Sequence, residues 1–101
     1  LFANPAQKGH LIETAAGAYL LERSRQERFS VRWWRDRNDE VDFVITKGRK
    51  RTAIEVKGGH TRRTKGLGAF VEKYPGTYVL IVGAESCPLE EFLLGNISLF
   101  Q

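Results

Sequence analysis

Between residues 10 and 24 (HLIETAAGAYLLERS) the apolar and small residues recur with helical spacing. Leu11, Ala15, Ala18 and Glu22 form one stripe, and Ile12, Ala16, Tyr19 and Leu20 lie beside it. The spacing predicts a helix, and its AAGA segment is slim enough to lie close on a sheet. The period then changes. Residues 29–35 (FSVRWWR) are rich in aromatic and β-branched types and predict a strand. In a strand Trp33 and Trp34 point to opposite faces, so at least one belongs to the core. Asp36 to Asp39 makes a turn.

Residues 40–46 and 51–57 predict two more strands. Lys47-Gly48-Arg49-Lys50 between them fits a two-residue hairpin of type II′, with Gly at the first turn position. Gly58-Gly59 breaks the sheet pattern. In KGLGAFVEKY (65–74), Leu67, Phe70, Val71 and Tyr74 follow the i, i+3, i+4, i+7 rule of an amphipathic helix, which Pro75-Gly76 ends. TYVLIVG (77–83) is a nearly continuous apolar run, the mark of a strand buried on both faces. PLEEFLLG predicts a short helix over an edge. The order is α-β-β-β-α-β, with the last strand returning parallel through a right-handed crossover. The expected fold is α/β (α+β), a mixed four-stranded sheet flanked by helices.

Composition narrows the class. The chain has 101 residues, 42% hydrophobic and 28% charged, as expected for one globular domain spanning 1–101. Leu1 is not an initiator and methionine is absent, which points to a fragment of a longer protein that begins in a linker around Asn4 and Pro5. No segment approaches the ~20 apolar residues of a membrane span. Cys87 alone supports neither a disulfide framework nor a zinc cluster, which suits the cytoplasm, and it reads as a loop residue beside Pro88. The formal net charge of +4 favours polyanionic partners, and the basic residues are blocked at 49–51 and at Arg62, Arg63 and Lys65.

Two acids are out of place in this pattern. Asp42 sits inside VDFVI and Glu55 inside TAIEV, where an ionised carboxylate is costly. The predicted hairpin sets Lys47 against Lys50, Ile45 against Thr52, Phe43 against Ile54 and Val41 against Val56, an apolar surface. It sets Asp42 against Glu55 and Glu40 against Lys57. Like charges in opposed positions destabilise a sheet. They call for a cation or a shared proton. Pairing with some of the sixteen Lys and Arg is one solution. A hard divalent ion held by carboxylates, waters and a substrate phosphate is the other. Lys57, two residues beyond Glu55, projects from the same face and can reach a phosphate oxygen or a metal-bound water. Glu13, near Ala16, Gly17 and Leu20, is placed on the sheet-facing side of its helix. His10 and His60 read as surface or structural residues.

A helix carrying Glu13, Asp42 in the second strand and Glu55-Val56-Lys57 in the third resembles the PD-(D/E)XK nuclease superfamily. More narrowly, GHLIETAAGAYLL, WWRDRNDEVDFVI, AIEVKGG with the later GLGAF, and PLEEFL resemble the uncharacterised domain that follows the AAA+ module in many prokaryotic ATPases. The resemblance runs from Gly9 to Leu94 and implies a restriction-endonuclease-like αβββαβ core. It also implies that Asp42 and Glu55 hold Mg²⁺ (or Mn²⁺) with the Val56 backbone carbonyl, and that Glu13 assists through metal or water. Lys57 would orient the attacking water and stabilise charge on phosphate. The implied activity is Mg²⁺-dependent hydrolysis of nucleic-acid phosphodiesters, DNA above all, by a module in the same polypeptide as an AAA+ ATPase. Some superfamily members add a Gln or a basic residue at the start of the following helix. Here that segment reads HTRRTKG, which offers Arg62, Arg63 or Lys65 as phosphate contacts. The alternative is a non-catalytic nucleic-acid-binding or protein-interaction module that keeps the nuclease fold.

Overall fold

The computed structural model describes residues 5–57 and 65–101. The elements are α1 (Pro5–Glu27), β1 (Ser30–Asp36), β2 (Asp39–Lys47), β3 (Lys50–Val56), α2 (Lys65–Lys73), β4 (Tyr78–Val82) and α3 (Leu89–Leu93). They form one four-stranded sheet in the order β1-β2-β3-β4, antiparallel for the first two pairings and parallel for β3 with β4. The sheet is mixed and flanked by helices, an α+β architecture, as the periodicity predicts.

α1 begins five residues earlier than the periodicity suggests. Pro5 therefore belongs to the helix rather than to a linker; proline is well suited to a first turn, where its missing N–H costs nothing. Ile12, Ala16, Tyr19 and Leu20 face the core, whereas Leu11, Ala15 and Ala18 are exposed. The small-residue segment does permit close approach: a Cβ on Gly17 would lie 3.1 Å from the Phe43 ring.

The β2–β3 hairpin has the predicted register, with Lys47 opposite Lys50, Ile45 opposite Thr52 and Phe43 opposite Ile54. Gly48 has φ +62°, as a type II′ turn requires at its first position. The β1–β2 pairing is irregular. Arg32 pairs with Val44 and Trp34 with Val41, so Asp42 and Phe43 together oppose Trp33. This extra residue is a β-bulge, and it reverses the side-chain alternation of β2.

The bulge corrects two expectations. Val41 does not share a face with Ile45 and Val56; it packs with Val44, Ala53, Leu67 and Phe70 under α2. Ile45, Ile54 and Val56 lie on the other side with Ala16, Leu20 and Phe92. Glu40 does not meet Lys57 across a ladder either. It pairs with Arg35, whose Nη2 donates to Glu40 Oε1 at 2.7 Å.

Three further features concern the periphery. β4 is an edge strand: Leu80 and Val82 face one core and Ile81 the other, while Val79 is open to solvent. α3 inserts Phe92 into the core, edge-on to Tyr19 at 5.0 Å. Cys87 is buried in the same core, and burial raises its thiol pKa, the signature of an inert cysteine. Trp34 packs edge-on against Phe70 at 5.2 Å. Trp33 is 68% exposed.

α2 is held against the start of β2 through Gly66. A Cβ there would fall 1.8 Å from the Glu40 carbonyl oxygen, an impossible contact unless the backbone moves. Gly66→Ala gains about 1 kcal/mol of helix propensity. The overlap is with main chain, and overpacking of this kind costs typically 1–3 kcal/mol or more. We expect net destabilisation, at about 4–8 °C in Tm per kcal/mol for a domain of this size. Thermal unfolding at equal or higher Tm would show that α2 can lift from β2 freely.

Candidate metal and catalytic site

The bulge and the end of the β2–β3 ladder fall at the same place, and Asp42 and Glu55 lie there. The last paired residues are Phe43 and Ile54. One step beyond, side chains replace the backbone ladder. The Asp42 N–H donates to Glu55 Oε1 at 3.1 Å, and the Val56 N–H donates to Asp42 Oδ2 at 2.8 Å. Each carboxylate thus spans the opening between the strands and satisfies an amide of the other strand. Two backbone donors that the bulge would leave unpaired are accounted for.

The same arrangement brings two acids together in a poorly solvated place. Glu55 is only 5% exposed. Its pKa is raised to about 8, first by burial, then by the Asp42 charge and a direct interaction with the Asp42 carboxyl group, and also by Glu13. The amide bond from Asp42 opposes these effects without cancelling them. In the absence of metal the buried Glu55 therefore keeps a proton at neutral pH.

Glu13 lies on α1 one helical turn before Gly17, whose Cα packs against Phe43, and its charge reaches Glu55. Val56 contributes differently. In a strand, the N–H and C=O of one residue point to the same side, so the Val56 carbonyl is turned toward the gap that its N–H enters. The Lys57 N–H donates to the Val82 carbonyl at 2.8 Å, which continues the β3–β4 pairing and fixes the backbone just below its exposed side chain. Room for it comes from Gly83: a Cβ there would lie 3.1 Å from Lys57 Cβ, and its φ of +102° is closed to other residues. Gly83 does not stand out in the sequence, and Gly66 does so only as the first residue of GLGAF. Each follows or opens an element, and a glycine at such a boundary is usually read as punctuation rather than as a contact.

Arg62, Arg63 and His60 lie outside the described residues, as does the Lys65 side chain, although Lys65 opens α2. His10 is exposed, and its carbonyl accepts from Thr14 Oγ1. Among the described residues no three His, Cys, Asp or Glu side chains converge into a ready cage for a metal ion. The arrangement offers two carboxylates and a carbonyl facing one gap. The donor chemistry fits a hard divalent cation that keeps several waters: a like-charged, half-protonated pair is relieved by such an ion.

Fold and site together define a small α+β domain that brings a buried and a half-buried acid together, with a lysine, where two sheet strands part. A comparison with family models matches residues 8–100 to a domain of unknown function, DUF4143, and the chain belongs to that family. No curated protein and no solved structure showed significant similarity to it. No helix among the described residues is long and apolar enough to cross a membrane.

Proposed function

We propose that the chain is a restriction-endonuclease-like nuclease domain of the PD-(D/E)XK type, hydrolysing phosphodiester bonds of nucleic acid, DNA above all, with Mg²⁺ or Mn²⁺. The observation that carries this reading is the joining of Asp42 and Glu55 across the opened ladder, with Lys57 two residues further on. Asp42, Glu55 and the Val56 carbonyl would hold the ion, and Glu13 would assist through an ordered water. The bound ion supplies Lewis-acid stabilisation of charge on phosphate. Lys57 orients the attacking water and donates to the phosphate oxygen that gains charge. Burial of Glu55 keeps the pair protonated until cation and substrate arrive, so empty sites do not carry two adjacent charges. Arg62, Arg63 and Lys65 are assigned to phosphate contacts. The domain is assigned to a cytoplasmic polypeptide that also carries an AAA+ ATPase module.

A second reading also has an observation behind it. Asp42 and Glu55 already cap backbone amides, a structural task that would persist in a nuclease fold kept only as a nucleic-acid-binding or protein-interaction module. The two readings diverge on metal. Isothermal titration of the chain with Mg²⁺ and Mn²⁺, followed by cleavage assays on single- and double-stranded DNA and RNA with and without the parent ATPase, decides between them. The nuclease reading expects binding that is lost in Asp42→Asn, and metal-dependent cleavage. Absence of both in the full-length protein would refute it and leave the binding module.

The basic segment makes a separate prediction. Arg62→Ala with Arg63→Ala should weaken binding to all sequences alike and flatten its salt dependence, because phosphate contacts act through counterion release. An unchanged salt slope would mark the segment as ordinary solvated surface.

A further inference from the structure

We propose that Ser30, Arg32, Thr46 and Arg51 form a binding site for a backbone phosphate of nucleic acid at the hairpin end of the sheet, away from the paired acids. The site goes beyond the nuclease reading, since it requires a nucleic-acid strand but neither metal nor cleavage. Strand register assembles it. Ser30 pairs with Thr46, and Thr46 with Arg51, so residues of β1, β2 and β3 form one row across the sheet. Their face follows from the alternation along each strand, because Trp34, Val44 and Ala53 all pack under α2. Arg32, two residues from Ser30 and opposite Val44, leaves the same face. Arg51 lies four residues along β3 from Glu55, roughly 13 Å at ~3.3 Å per residue. That is too far to share one phosphate with the candidate metal site.

The row offers donors and no acid. The Ser30 and Thr46 hydroxyls hydrogen-bond each other. Together they hold two protons and their mutual bond uses one, so the other is left to donate elsewhere. Arg51 is half-buried, and its guanidinium sits 4.8 Å from the Tyr74 ring centroid. The ring positions the cation without neutralising it. Neither Arg51 nor the exposed Arg32 is in an ion pair among the described residues, whereas Arg23, Arg25, Arg35 and Lys73 are each matched by an acid. A positioned guanidinium without a carboxylate, beside a spare hydroxyl donor, suits the several acceptor oxygens of a phosphate. The β2–β3 hairpin extends this charge. From Phe43 to Ile54 the chain holds no acid, and Lys47, Arg49 and Lys50 are exposed, as is Arg28 just before β1. One isolated phosphate would leave most of these cations unmatched. A nucleic-acid backbone, charged at every residue, matches them.

The test is fluorescence-anisotropy binding of a labelled oligo-dT in EDTA across a salt series, with wild type, Arg32→Gln, Arg32→Gln with Arg51→Gln, and Thr46→Val. The double variant should weaken binding roughly tenfold and flatten the plot of log affinity against log salt by about 1.4, at ~0.7 for each phosphate contact on a single strand. Arg32→Gln removes an exposed side chain, so it leaves the fold intact and should flatten the slope by about half as much. Thr46→Val removes a neutral donor and should weaken binding severalfold at an unchanged slope. Slopes equal to that of wild type in both arginine variants would overturn the proposal. Full affinity in Thr46→Val would overturn it too, leaving a diffuse positive surface in place of a built site. Inorganic phosphate or poly-glutamate that displaces the strand as well as unlabelled oligo-dT, at equal charge concentration, would reassign the site to a free phosphate or an acidic peptide. A wild type that binds no strand refutes the site outright. Because the assay excludes metal, its outcome is separate from that of the nuclease reading, which Mg²⁺ titration and cleavage decide through Asp42 and Glu55.

Discussion

Lys57→Ala is expected to abolish metal-dependent cleavage while leaving Mg²⁺ binding and the fold nearly intact. Lys57 is exposed, its main chain is already anchored to Val82, and its ammonium is not a metal ligand. Truncation therefore removes neither core packing nor a buried partner, and a surface change of this kind shifts stability by about 0.5 kcal/mol or less. Loss of a group that positions water and stabilises charge on phosphate typically costs roughly 10²–10⁴-fold in rate. Asp42→Asn should behave differently. The amide oxygen can still accept from the Val56 N–H, so the strand opening stays capped, but a charged ligand is gone and both metal binding and cleavage should vanish. Asp42→Ala removes the cap too, and an unsatisfied buried amide costs about 1–3 kcal/mol. Parallel titration, cleavage and thermal unfolding of the three variants separate these effects. Cleavage by Lys57→Ala at the wild-type rate would end the catalytic assignment.

The second large effect is a pH dependence with an inverted sign. A carboxylate usually gains from folding and loses stability in acid. Glu55 is raised from an ordinary value of 4.5 to about 8 by burial and by Asp42, so the folded protein binds its proton more tightly than the unfolded chain does. Between those values the native state carries the extra proton, and stability falls as pH rises, at up to about 1.4 kcal/mol per pH unit. The metal-free protein should accordingly be more stable near pH 5 than near pH 8, by a few kcal/mol. Mg²⁺ competes with that proton, so its affinity should climb with pH over the same window and its binding should offset the loss. Glu55→Gln supplies the control. Its Oε1 still accepts from the Asp42 N–H and its amide can donate to the Asp42 carboxylate. This variant should have a flatter stability profile, exceed wild type at pH 8 without metal, and show no Mg²⁺ shift. Denaturant unfolding at pH 5 to 8, with and without millimolar Mg²⁺, measures all three. A wild type whose stability rises through this range would show that the acids repel too weakly to need a cation.

Much of the molecule is written in local pattern. The helix at 65–73, the hairpin at Gly48 and the register that pairs Phe43 with Ile54 all follow from spacing and turn chemistry, because a tight turn leaves a hairpin no freedom to slip. Carried one residue further, the same register sets Asp42 beside Glu55, so the meeting of the two acids is legible from spacing alone. Tertiary structure decided what happens beyond the ladder. A bulge is set by how β1, α1 and α2 compete for one strand, and no periodicity in VDFVI encodes it. It sends Val41 to the opposite core, parts β2 from β3 and lets two acids cap backbone amides while crowding each other. The glycines behave likewise. Gly66 and Gly83 mark boundaries in the sequence, but their contacts with Glu40 and Lys57 arise from residues distant along the chain. Residue type and spacing determined which groups could act together; the meeting of two helices over a strand with one residue too many determined how they are held.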